Sequence, residues 1–141
     1  MTQEEKQLLL KDLCARLPYG VNAQGVLEEE ADYNIPVNHE ETVIGHVDGI
    51  DHLGFDDGEI YVVIEGIPCE LSDVKLYLRP MSSMTEEERK KYHELCNSYS
   101  DIYFDSIDSI DWLNAHHFDY HRLIEKGLAI KVTEENNPYK N

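Results

Sequence analysis

The chain has 141 residues, 41% of them hydrophobic and 29% charged, and 29 acidic against 12 basic side chains give a formal charge of −17. That length suits one hydrophobic core and crowds two, and the composition excludes global disorder. The charge argues against direct binding to nucleic acid or anionic membranes, so a charged partner is expected to be a protein that is basic or itself nucleic-acid-binding.

Thr2 and Glu5 have capping-box spacing, and Leu9, Leu10, Leu13, Cys14 and Leu17 recur at helical intervals until Pro18 and Gly20 stop the run. From residue 19 to 80 the pattern changes to short β-favouring runs, including Val43, Val47, Ile60, Val62, Ile64, Leu76 and Leu78, punctuated by glycine, Asn and Asp. Asp57-Gly58 is a hairpin signal ahead of the alternating residues 59–65, and Gly66-Ile67-Pro68 is expected to interrupt the pairing. Thr85 with Glu88 repeats the capping box of a second helix, with Tyr92, Leu95, Cys96 and Tyr99 on its inner face. Residues 106–117 predict a third helix, Asp119 caps a short fourth one ended by Gly127, and residues 128–132 return as an edge strand.

The reading is an α+β fold: an N-terminal helix, a small curled antiparallel sheet or half-barrel of about four to five strands, then about two to three C-terminal helices. One domain is expected over residues 1–132, followed by a flexible polar tail over 133–141. Cys14, Cys69 and Cys96 are widely spaced without a CxxC pair, which reads as buried free thiols in a reducing compartment. The N-terminus lacks a basic start and an apolar run, and no segment approaches a membrane span, so the expected location is the cytoplasm.

The densest polar cluster is His116, His117, Asp119 and His121, with Asp111 on the preceding helix. These residue types bind transition metals or move protons, yet the same types cap helix ends at a corner, and their spacing matches no established metal signature. Asp48, Asp51, Asp56, Asp57 and Glu59 lack the ligand register of a calcium loop and read as turn chemistry. No nucleophile elbow, phosphate loop or dinucleotide fingerprint is present, so neither a catalytic residue nor a cofactor is expected. Arg79, Lys75 and Arg122 are candidate anion contacts for a small molecule held between the sheet and the C-terminal helices, with an ion pair to a nearby acid as the alternative role of Arg79.

Residues 4–20, 76–88 and 111–128 carry a resemblance, including Leu76-Tyr-Leu-Arg-Pro-Met-Ser-Ser-Met-Thr-Glu-Glu-Glu88 and Asp111-Trp-Leu-Asn-Ala-His-His-Phe-Asp-Tyr120. They resemble a family of small uncharacterised proteins of phages and mobile elements of gut bacteria, over roughly a third of the chain, with residues 21–73 as the variable part. The resemblance implies a genetic context in which small acidic proteins bind host machinery, and it supplies no catalytic positions. The expected function is a non-catalytic accessory protein that docks a host or phage protein through an acidic, Tyr-bearing surface, as an inhibitor or DNA mimic. The alternatives are a small-molecule-binding or sequestering protein and a metal-dependent enzyme using the His116 to His121 cluster.

Overall fold

Thr2 Oγ1 accepts the Glu5 amide at 3.1 Å and the Glu5 carboxylate accepts the Thr2 amide at 3.2 Å. The expected capping box is therefore formed, and it opens helix α1, Gln3–Arg16. A 3₁₀ turn over Leu17–Tyr19 follows, and Gly20 at φ 81 ends it. The structure, a computed structural model, describes residues 1–28, 40–51, 60–96 and 102–139.

Strands β1 (Asn22–Glu28) and β2 (Glu40–Asp51) pair antiparallel. The Asp57-Gly58 turn lies outside the described residues, but the strands it was expected to join, β2 and β3 (Tyr61–Ile64), are paired, with Asp51 opposite Tyr61. Pairing does not break at Gly66-Ile67-Pro68. Glu65 and Gly66 take φ 49 and 79, the two positive values of a tight hairpin turn, and β4 (Ile67–Glu70) returns along β3. Pro68 is tolerated because β4 is the edge strand among the described residues, so its outer N–H positions pair with no described strand.

Strand β5 (Lys75–Pro80) is the hub of the sheet. It is antiparallel to β1, with Ala23 opposite Leu76, and parallel to two short strands, β6 (Phe118–Asp119) and β7 (Ala129–Lys131). The Arg79 amide donates to the His117 carbonyl at 2.7 Å, whereas the Leu78 carbonyl accepts from Val132 at 2.9 Å. Successive residues of a strand direct their backbone groups to opposite edges, so β6 lies on the edge that β1 has vacated and β7 on the other. The result, among the described residues, is an open, mixed sheet of seven strands, not the expected antiparallel half-barrel of four or five strands. The difference arises at β6 and β7, which are too short to show a period and pair in parallel across long stretches of chain.

Helices α2 (Glu86–Cys96) and α3 (Ile102–Ala115) follow β5. The second capping box forms: the Glu88 carboxylate accepts the Thr85 amide at 2.9 Å. The segment expected as a fourth helix is a single turn, with Gly127 at φ 74 and the Leu128 amide bonded to the Leu123 carbonyl at 2.9 Å. No helix among the described residues is long and apolar enough to cross a membrane.

The main core joins Leu9 and Leu13 of α1 to Val21, Ala23, Val47, Val62, Ile64, Leu76 and Leu78 of the sheet and to Leu123 and Leu128. A second cluster of Met84, Leu113 and Phe118, flanked by Tyr92 and Trp112, packs α2 and α3 against β6. All three cysteines are free as expected, but only Cys69 is buried. Cys14 and Cys96 are exposed because the buried stripe of α1 runs through Leu9 and Leu13, beside Cys14, while α2 buries no residue fully.

Residues 133–139 carry defined contacts. The Asn22 amide donates to the Tyr139 hydroxyl at 3.0 Å and that hydroxyl donates to the Tyr77 carbonyl at 2.7 Å. Continuing the β1–β5 register places Asn22 opposite Tyr77, so the phenol is wedged into the ladder where β1 leaves β5. Burial pushes the Tyr139 pKa up to about 12, which keeps this bridging proton in place.

The sheet curls enough for β3 and β4 to press on β1: a Cβ at Gly25 would stand 2.7 Å from Cys69 Sγ and 2.9 Å from Ile64. Gly25→Ala is therefore expected to lower stability by about 1–3 kcal/mol through overpacking, read as a lower urea midpoint with an unchanged m-value.

Candidate ligand-binding site

The corner after α3 holds the residues that the sequence singled out, and each is engaged separately. His116 Nδ1 is 2.9 Å from the Trp112 carbonyl and its ring lies against Trp112. His117, at φ 65, turns the chain, and its ring stacks on Tyr139 at 3.5 Å. The buried Asp119 carboxylate accepts the Leu123 and Ile124 amides at 2.9 and 3.0 Å, the cap expected of it, here on a single turn. His121 Nδ1 meets Asp12 Oδ2 at 2.7 Å. Among the described residues no group of three or more His, Cys, Asp or Glu stands where it could hold a metal ion.

Arg79 donates from Nη1 and Nη2 to the two Glu88 carboxylate oxygens, at 2.8 and 2.7 Å, and lies 4.2 Å over the Phe118 ring. That hydrogen-bonded pairing holds the Glu88 carboxyl well down, at about 2. Arg79 thus fastens α2 to the sheet. Lys75 is exposed at the opposite end of β5 from the corner.

A polar cluster that sequence reasoning missed lies beneath the corner. Arg16 of α1 is fully buried, bonded through Nε to Asp12 at 2.5 Å and through Nη2 to the Phe118 carbonyl at 2.7 Å, and it lies 5.0 Å over the Tyr120 ring. Tyr120 in turn donates to the buried Asn114 side chain at 2.7 Å. The signal was present in the sequence. Leu9, Asp12, Leu13 and Arg16 fall at i, i+3, i+4 and i+7, so the ion pair occupies the apolar stripe.

Above this cluster opens a cavity of about 530 Å³, within the range of small-molecule sites. Its walls come from three strand ends: Pro80 with Met81 and Ser82 after β5, Asp119 and Tyr120 at and after β6, and Lys131 closing β7. Tyr92 of α2 and Arg122, Ile124 and Glu125 of the capped turn complete it. Burial raises the pKa of Tyr92 and of Tyr120, so both phenols stay protonated donors at neutral pH. Of the three predicted anion contacts only Arg122 lines the cavity; Tyr92 and Lys131 were not singled out.

No protein-family model, no curated protein and no solved structure matches this chain.

The buried groups generate two predictions. Removing one partner of a buried ion pair leaves the other uncompensated, so Asp12→Ala is expected to cost about 3–5 kcal/mol; Asp12→Leu with Arg16→Met should cost less than the single change in chemical denaturation. Burial depresses the His117 pKa from 6.5 to about 4, with the nearby Arg16 charge adding to the effect. The folded state then binds fewer protons than the unfolded one between those values, so stability is intact above pH 6.5 and falls as pH drops towards 4. His117→Asn, which tolerates the positive φ, should flatten that fall by about 1–2 kcal/mol, allowing for solvent screening of the partly buried ring.

Proposed function

We propose that this protein binds a small organic molecule in the cavity beside β5. The observation that carries this reading is the cavity's position: it opens beyond the carboxyl ends of β5, β6 and β7, which run parallel. In open sheets with parallel strands, ligands lodge in the crevice outside those ends, where no further strand satisfies the departing backbone and the connecting loops are free to vary. The lining suits recognition, with two phenols, the apolar sides of Met81 and Ile124, and charged groups at Arg122, Lys131 and Glu125. A fragment screen read by amide and aromatic NMR shifts is expected to give ligands that perturb Tyr92, Tyr120 and Lys131 together and are displaced by Ser82→Trp at the wall. Ligands absent from this region, or indifferent to Ser82→Trp, would remove the reading.

A second reading has its own support. The outer face of β2 presents Thr42, Ile44, His46 and Asp48, with Ile44 55% exposed, and Glu41, Asp51, Glu65 and Asp73 are exposed on β2 and the turns beyond it. An apolar residue among carboxylates suits docking to a basic protein, including the DNA-binding protein that a DNA mimic would block. Retention of one specific partner at low salt, its release at high salt and its loss with Ile44→Asp are the expected outcomes. Salt-insensitive capture would count against it.

A further inference from the structure

Resting on the small-molecule reading, we propose that the ligand is a ring-bearing monoanion whose charged head is held by Arg122 and Lys131 and whose ring lies against Tyr92 and Tyr120.

The first ground is local charge. Residues 120–132 contain Arg122, Lys126 and Lys131 against Glu125 alone, in a chain with 29 acidic and 12 basic side chains. At the cavity wall itself Arg122 and Lys131 stand against Asp119 and Glu125, an even balance within a strongly acidic protein. Neither Arg122 nor Lys131 is ion-paired among the described residues, whereas the other arginine of this corner, Arg79, is spent on Glu88. The Asp119 carboxylate, although it lines the cavity, already accepts an amide at each oxygen, so it competes poorly for the two cations.

The second ground is conformational. Arg122 sits at φ 58, a left-handed backbone that disfavours every residue with a Cβ and that glycine adopts freely. The Asp119 cap on the following two amides imposes that geometry. Nothing in the turn itself requires an arginine there. A strained position carrying an exposed cation at a cavity wall points to a role for the guanidinium in recognition.

The size of the ligand's charge follows from the surroundings. Asp119 and Glu125 at the wall oppose a second negative charge, while one negative charge can be met by the planar fork of Arg122 and the point charge of Lys131. The tyrosine faces supply the apolar, ring-stacking half of the site.

Phenylacetate, phenyl phosphate, benzyl alcohol and inorganic phosphate serve as probes, titrated into the full chain and followed by NMR shifts at Tyr92, Tyr120 and Lys131. Phenylacetate is expected to bind at least tenfold more tightly than benzyl alcohol, and more tightly than either the phenyl phosphate dianion or inorganic phosphate. Arg122→Gly should weaken phenylacetate at least tenfold while holding or raising the thermal midpoint, a combination that a purely structural arginine would not give. Equal binding of benzyl alcohol and phenylacetate in the cavity overturns the anion assignment and leaves the small-molecule reading intact. A preference for phenyl phosphate overturns the monoanion assignment, and Arg122→Gly with undiminished phenylacetate affinity overturns the role of Arg122. If no probe reaches the cavity, the proposed ligand class fails, and the wider fragment screen decides the small-molecule reading separately.

Discussion

The buried guanidinium of Arg16 is the interaction on which the corner depends. A buried arginine needs its charge met, and here Asp12 meets it through Nε and Nη2 while the Phe118 carbonyl accepts a further bond from Nη2; Nη1 has no partner among the described residues. That last bond spans 102 positions of sequence and joins the first helix to a strand of two residues. A strand so short gains little from its own ladder. Its position is set by what surrounds it: Arg16 below, Arg79 over the Phe118 ring, and the aromatic cluster of Tyr92 and Trp112 beside it. Because Asp119 and Tyr120 follow directly, the same bonds place one wall of the cavity. Asp12 also binds His121, so a single carboxylate on α1 ties down both sides of Tyr120.

The central role of β5 follows from its two edges. One edge is shared in succession by β1, the Tyr139 hydroxyl and β6, and the other belongs to β7. The phenol stands where the ladder would otherwise have a gap, accepting from one strand and donating to the other, as buried backbone groups require. Beyond Pro80 the chain leaves the sheet and β6 and β7 end nearby, so the crevice is the geometric consequence of three parallel strands ending together. In the N-terminal half of the sheet, β1 to β4 pair antiparallel in succession, so neighbouring strands end at opposite edges.

Features set by neighbours in sequence were legible before the fold was known. Both capping boxes form, since Thr2 with Glu5 and Thr85 with Glu88 need only one turn of helix, and Asp119 caps the following amides. What escaped was long-range or lacked a period. Two residues of β6 and three of β7 carry no alternation to read. Glu65-Gly66 forms a tight turn without the usual Asn-Gly or Asp-Gly signal. The histidine cluster looked dense in sequence, but a sharp turn at His117 with a left-handed backbone sends successive side chains to Trp112, Tyr139 and Asp12 instead of to one point. Arg122 was legible as a cation near the C-terminal elements, but its place on one cavity wall with Lys131 required the parallel β5–β7 pairing that no local pattern reveals.

Charge completes the distinction between the two ends of the molecule. The β2–β4 end presents exposed carboxylates around Ile44, and the cavity end carries Arg122 and Lys131, which have no ion-pair partner among the described residues. Fields from exposed charges are screened within about 10 Å at ordinary ionic strength, so the cavity responds mainly to its own Asp119, Arg122, Glu125 and Lys131. The two surfaces therefore differ in field: carboxylates surround Ile44 at one end, and charges of both signs line the strand-end cavity at the other.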